Sequence, residues 1–426
     1  MPAQLLAASI FLLTFALIAS ERVNRALAAL LGASLVLLSG VLPQDEAFRF
    51  VDFNVVFLLV GTMTIASVLA KTGVFQWLGV EAIRRTRGDP YRFLLAVSLI
   101  TAVLSAFVNN ATTIVLLAPV TFYAAEKLGV SPTPFLVSQV LASNIGGAAT
   151  LIGDPPNLLI GSAFGVGFGG FLANALLPCA IVLAAYFLQT RWLFRRELRA
   201  ARAALSAADI ARLAREQPPL ARPTLLAPSL LIAALVVVGL ALSERLGLHE
   251  ATIAIAGASV LLVVTGESLH EHLEAVEWPL LLFFIGLFIV VGALVKVGVV
   301  ASAAAALLPT VSGRTDLGAI VLLWVSGVLS AVIDNIPFTV TTIPLLREIG
   351  RTVDPAPLVW GLVFGANFGG NATVIGGAAN VVAAGLAEAR GHPITFRRWL
   401  GYGVPATAVS LFVATAYVWV RYGIAR

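Results

Sequence analysis

The chain carries little charge and few of the groups that soluble enzymes depend on. Only 12% of its 426 residues are charged, against roughly 25% in an ordinary soluble domain. Hydrophobic residues make up 59%, and the mean hydropathy is +0.97, so water is not the main solvent of this surface. A single cysteine, Cys179, excludes an intrachain disulfide and a thiolate zinc site. No G-x-x-x-x-G-K-[ST] string is present, so the chain has no phosphate loop with which to use ATP itself. The apolar stretches hold no His-x-x-x-His pair, and Asp154 stands in L-I-G-D rather than G-x-G-D, which argues against an intramembrane aspartyl protease. The net charge of +5 and pI near 9.7 do not call for a nucleic-acid partner. Basic residues crowded on one side of a bilayer explain them more simply.

What is present is apolar sequence in lengths that cross lipid. A helix needs about 20 apolar residues to span roughly 30 Å of hydrocarbon. Stretches near that length lie at 3–20, 26–43, 53–70, 92–108, 111–125, 170–190, 224–243, 251–266, 278–297, 316–333, 336–346 and 399–420, with interrupted ones at 134–165 and 356–388. The first lacks the basic start of a secretory leader and recurs later in the chain, so it is expected to be a span.

The chain is an internal duplication. Phe53-Asn54 through Gly61 to Lys71-Thr72-Gly73 matches Trp278-Pro279 through Gly286 to Lys296-Val297-Gly298 at an offset of 225. Gly32-Ala33-Ser34 matches Gly257-Ala258-Ser259, and Ser105 to Asn110 matches Ser330 to Asn335, at the same offset. Asn144-Ile-Gly-Gly-Ala-Ala-Thr150 matches Asn367-Phe-Gly-Gly-Asn-Ala-Thr373 at 223. Each half reads as three spans, a helical pair, one interrupted span and a final span. The pair adds zero or two crossings, so each half crosses an odd number of times and the copies have opposite orientation. The expected organisation is a first inverted repeat over 1–192, a basic linker over 193–222 and a second inverted repeat over 223–426. With the linker in the cytoplasm, 19 of the 27 basic residues fall on that side and 8 on the other. The positive-inside rule therefore predicts a multi-pass plasma (inner) membrane protein with the central basic loop cytoplasmic.

Polar residues inside a bilayer are costly and mark function. They gather at two repeat-related places. The first is the turn of each helical pair, with Asn109, Asn110, Thr112 and Thr113 in one half and Asp334, Asn335 and Thr339 in the other. The second is each interrupted span. Gly146, Gly147 and Gly153 loosen the first, and Pro155-Pro156 removes two backbone donors. Its helix should stop near Gly146–Thr150 and restart at Pro155 with Asp154 as N-cap. Gly369, Gly370, Gly376 and Gly377 break the second. Asn144, Thr150 and Asn157, and in the copy Asn367, Thr373 and Asn380, flank these breaks. Unwound backbone at membrane depth must be buried or line a cavity, where freed carbonyls can ligate a cation. Asp154 and Asp334 are the acids at these places, and Na⁺ or a proton is the expected coupling ion beside them, with no other cofactor. Lys71 and Lys296 end spans and are expected to snorkel to the surface.

The string Ser105–Val120 (SAFVNNATTIVLLAPV) followed by Ala142–Ile160 (ASNIGGAATLIGDPPNLLI) resembles the ion transporter superfamily, in its ArsB arsenite permease, NhaD antiporter and P-protein branch. The resemblance implies an all-α polytopic membrane protein. Each inverted repeat would hold a re-entrant helical hairpin and a broken transmembrane helix, in an elevator-type carrier with scaffold and transport domains. It also implies a site between hairpin tips and helix breaks, a homodimer, and, in the arsenite family, a cytoplasmic ATPase subunit for which the basic linker is a docking candidate. In the carboxylate-transporting relatives a Ser-Asn-Thr motif binds Na⁺ and substrate at the tips. Here Asn109-Asn110-Ala111-Thr112 and Asp334-Asn335-Ile336-Pro337 stand in those places. The leading expectation is therefore outward movement of a small inorganic solute, arsenite, in exchange for protons. Arsenite is neutral at pH 7 and suits a polar pocket without Arg or Lys. A Na⁺/H⁺ antiporter and a P-protein-like anion or carboxylate transporter are the alternatives.

Overall fold

The computed structural model describes residues 2–20, 22–87, 89–127, 129–204 and 221–423, and every regular element among them is helical. Six of these helices are long and apolar enough to cross a membrane: Phe53–Lys71, Phe168–Leu193, Pro223–Ala241, Trp278–Lys296, Thr315–Val332 and Phe396–Gly423. Large aliphatic side chains such as Leu12, Leu31, Leu231 and Val263 stand exposed on helix faces. In lipid such faces cost nothing, and the protein is a multi-pass membrane protein.

Helix boundaries follow from ordinary capping chemistry. Asn24 starts Arg25–Leu38 by accepting from Ala26 N at 2.9 Å, and Asp89 starts Pro90–Ser105 by accepting from Arg92 N at 2.9 Å. Element bounds recur at the sequence offset. Phe53–Lys71 and Trp278–Lys296 are both 19 residues long. Each ends before a glycine in the left-handed region, Gly73 and Gly298, both at φ 80°. Two helices that the hydropathy pattern did not single out follow them, Val74–Thr86 and Val299–Val311.

Two bodies of helices emerge from the packing. In one, Arg25–Leu38 lies on Trp278–Lys296, and Glu250–Thr265 lies on Phe53–Lys71, so each half packs its second helix on the other half's long span. Glycine makes these crossings close: a Cβ on Gly61 would stand 2.6 Å from the Ala254 carbonyl carbon, and one on Gly286 2.7 Å from that of Ala29. The other body holds two helical hairpins, Pro90–Ser105 with Asn110–Lys127 and Thr315–Val332 with Asn335–Ile349. Two broken helices pack with them: Thr133–Gly147 with Pro155–Phe164, and Ala356–Gly369 with Ala378–Glu388. The first break falls where the glycines and prolines predict.

The linker is helical over Arg195–Ala204, set off from Phe168–Leu193 at Phe194. The rest of that reading, positions 205–220 with Arg212 and Arg215, lies outside the described residues.

Candidate functional site

Each hairpin turns on a capping side chain. Asn109 Oδ1 accepts from Ala111 N at 2.9 Å, and Asp334 Oδ1 accepts from Ile336 N at 3.0 Å. Asp334 thus makes a cap, and a neutral amide makes the same cap in the other copy. Threonines of the breaks hold the tips. Thr150 Oγ1 donates to the Ala106 carbonyl, and Thr373 Oγ1 donates to the Ala331 carbonyl at 2.5 Å.

Two asparagines close the breaks. Asn157 Nδ2 donates to the carbonyls of Gly147 at 3.0 Å and Thr150 at 2.8 Å. Asn380 Nδ2 donates to those of Gly370 and Thr373, both at 2.7 Å. These four break carbonyls therefore each accept one hydrogen bond: a buried carbonyl needs a donor, and the side-chain amide supplies it. Asn144 Nδ2 reaches across to Asn380 Oδ1 at 3.0 Å and Asn371 Oδ1 at 2.8 Å, while Asn367 Nδ2 reaches Asn157 Oδ1 at 2.8 Å. All five of these asparagines are buried.

Beyond this shared frame the two half-sites differ. Asn110 Nδ2 donates to Asn144 Oδ1 at 3.2 Å and to Asp154 Oδ2 at 2.8 Å. Ser105 Oγ donates to Asn110 Oδ1 and lies 2.8 Å from Ser143 Oγ. Asp154 occupies the expected N-cap position, but its side chain makes no cap hydrogen bond. Its carboxylate is buried and turned to Asn110 instead. The position equivalent to Asp154 in the second half is Gly377. There Asn367 Oδ1 is buried with no hydrogen-bond partner.

These groups converge on a cavity of about 30 Å³, enough to hold an ion or one or two waters. Asn109, Asn110, Asn144, Asp154 and Pro155 line it from the first half, and Asp334, Asn335, Asn367, Gly370, Gly376 and Gly377 from the second. The other candidates stand behind it. Thr113 bonds the Val108 carbonyl at 3.3 Å and Thr339 the Asn335 carbonyl at 2.8 Å, each within its own hairpin. Thr112 Oγ1 donates to Glu277 Oε1 at 3.1 Å. Gly146 and Gly369 let the broken helices touch the hairpin backbone at Ala102 and Gly327, and Gly153 sits against the Gly147 backbone. Pro156 lies in the first turn of the restarted helix.

Two charged residues that sequence reasoning passed over also line the cavity, Arg25 and Glu277. Arg25 overturns the expectation of a pocket without Arg or Lys. Its guanidinium pairs with Asp334 Oδ2 at 2.6 Å and lies over the Phe283 ring. Arg25, Asp334, Gly377 and Ala378 also line a larger vestibule of about 540 Å³. Repeat register held a signal for both residues: position 25 has the acid Glu250 as its copy, and Glu277 is the copy of Asp52.

Away from the site, Lys71 and Lys296, at the ends of their spans, each make ion pairs. Lys296 Nζ lies 2.6 Å from Glu46, and Lys71 Nζ lies 2.5 Å from Glu267 and 2.8 Å from Glu271. His272 Nε2 stands 3.1 Å from Glu267, and Arg222, at the end of the linker, pairs with the same carboxylate at 2.8 Å. The hydrogen bond from Lys71 holds both Glu267 and Glu271 below the usual carboxylate range.

Known proteins resemble this chain along most or nearly all of its length. A family model described as a citrate transporter, CitMHS, matches residues 15–365. An uncharacterized transporter of Mycobacterium tuberculosis is 40% identical, with 98% of each chain covered. The P protein of Homo sapiens is 32% identical over 96% of this chain and 59% of its own length. Among solved structures, the YdaH transporter of Alcanivorax borkumensis superimposes with a TM-score of 0.61 at 18% identity, covering 99% of this chain and 98% of that one. That last likeness is one of fold.

Proposed function

The chain belongs to the citrate transporter family CitMHS of the ion transporter superfamily, whose members are secondary transporters, and we propose that it exports arsenite in exchange for protons. The observation that carries this reading is the Asp154 carboxylate. It is buried, makes no cap, is held by an asparagine amide, and lines a cavity that is also lined by Asn367, whose Oδ1 has no hydrogen-bond partner. A carboxylate so placed at membrane depth calls for a proton or a cation, and a coupled carrier supplies one in each cycle. Asp154 and Asp334 carry the coupling ion, H⁺ in this reading. The asparagine amides around the cavity take the solute. Arg25 does not leave the cavity cationic, because Asp334 neutralises it, and a small uncharged solute suits the remaining room.

The proposed working cycle is that of an elevator. The two hairpins and two broken helices move as a transport body against the body built on Phe53–Lys71 and Trp278–Lys296. The halves act as inverted repeats, with the boundaries read from the sequence and the basic linker in the cytoplasm. Support comes from the recurrence of element bounds and from the reciprocal packing of the halves. A homodimer and a cytoplasmic ATPase subunit docked at the linker are the proposed partners.

A second reading has its own observation. Arg25 at the cavity wall is the group that would bind an anion if Asp334 released it, as a carboxylate cargo would require. Purified protein in proteoliposomes separates the readings. Uptake of radiolabelled arsenite driven by an imposed pH gradient supports arsenite–proton exchange. Na⁺-dependent proton flux without arsenite movement replaces it with Na⁺/H⁺ antiport, and citrate uptake alone replaces it with the carboxylate reading.

A further inference from the structure

The ion pair between Arg25 and Asp334 joins the two bodies at the boundary between the vestibule and the inner cavity. Arg25 opens Arg25–Leu38, which rests on Trp278–Lys296, and Asp334 is the tip of the second hairpin. Both residues line both cavities. Two features show that the pair has a purpose beyond local structure. A cation in the first turn of a helix opposes the helix dipole, so Arg25 is poorly placed unless a carboxylate meets it. A carboxylate is also not needed for the cap at the tip, because Asn109 makes the equivalent one with an amide. The copies of the two residues are Glu250 and Asn109, which cannot form an ion pair. The link therefore exists at one tip of the two.

We propose that Arg25 is a latch on the second hairpin tip: paired with Asp334 it closes the inner cavity to the vestibule, and solute passes only when the pair separates. The latch rests on the carrier reading above but not on arsenite as the cargo. Asn24 positions it, since its cap on Ala26 N fixes the start of the helix from which Arg25 projects. Phe283 backs the guanidinium from the side of the long span, with the ring centroid 5.6 Å away.

The test reads access rather than flux, so it stands whether or not arsenite moves. Ala379 lines the inner cavity and not the vestibule, and a cysteine placed there reports passage of a small cationic thiosulfonate reagent added to the purified full-length protein. In the Ala379→Cys background, Arg25→Gln should raise the modification rate about fivefold or more, in keeping with loss of one partly exposed ion pair. Arg25→Lys should keep it slow. The exchanged pair, Arg25→Asp with Asp334→Arg, should return the rate towards that of the parent. Equal rates in the Arg25→Gln and parent proteins would overturn the latch. Fast modification that the exchanged pair fails to slow would also overturn it, provided both variants elute as the parent does in size-exclusion chromatography.

Discussion

Asn144 and Asn367, one in each half, reach across the molecule to bind the other half's break. Asn144 donates to Asn380 at 3.0 Å, and Asn367 donates to Asn157 at 2.8 Å. Because Asn157 and Asn380 in turn hold the carbonyls of their own breaks, neither unwound segment is supported by its own half alone.

Asn157→Ala and Asn380→Ala should each be destabilising. Each removes the donor from two buried carbonyls and takes one of two acceptors from the opposite asparagine, which keeps Val363 O or Asn371 Oδ1, a loss of about 2–4 kcal/mol. Thermal unfolding in detergent measures it. A variant that melts with the parent would show that water replaces the amide at no cost.

Asp154→Asn should leave the fold intact while ending proton-driven transport. The Asn110 amide can still donate to an oxygen at position 154, but the replacement binds no proton. Flux under a pH gradient should fall to that of protein-free vesicles, with a melting temperature near the parent's. Retained gradient-driven flux would remove Asp154 from the coupling mechanism.

Asp334→Asn should keep the tip cap, as Asn109 shows an amide can, and free Arg25. The expected outcome is transport that no longer varies with pH in a protein that still folds. An unchanged pH profile would refute the coupling role of Asp334.

Gly146→Ala and Gly369→Ala should each cost about 1–3 kcal/mol or more. The added methyl would meet backbone of the hairpin, at Ala102 and Gly327 respectively, and backbone cannot step aside as a side chain can. Detergent melting curves and folded yield report the loss.

Acid should loosen the contact at the end of the linker. Glu267 and Glu271 are held below their ordinary range by Lys71, so their contribution to stability is present above the unfolded carboxylate pKa of about 4.3 and fades as pH falls through the lower folded values. The parent's melting temperature should drop across that acid window. Glu267→Gln should start lower at neutral pH and drop less, and parallel curves would show that another group governs acid stability.

Much of this architecture was legible because the physics was local. Glycine pairs and Pro155-Pro156 break a helix wherever they occur, and an Asn-Asn or Asp-Asn turn between apolar runs reads as a tip. Duplication then placed the same devices in both halves. What could not be read was long-range. Asn371 bonds Asn144, 227 positions away, and Arg25 meets Asp334, 309 positions away. In the sequence Arg25 was only a positive charge beside a span. The side-chain direction of Asp154 was missed for a related reason: capping is the nearest use for an aspartate before two prolines, and only the arrival of Asn110 from another helix offers a different one. The helices Val74–Thr86 and Val299–Val311 escaped because one is amphipathic and charged towards its end, and the other is a short alanine-rich run.

The crossed packing of second helices on opposite long spans has a consequence for biosynthesis. When the ribosome has delivered the first half into the membrane, the surface on which Arg25–Leu38 will rest has not yet been made. That helix must wait, with only lipid and neighbours of its own half around it, until Trp278–Lys296 is inserted. The molecule therefore settles late and as a whole, and the two halves supplied as separate chains would need each other to reach the same shape.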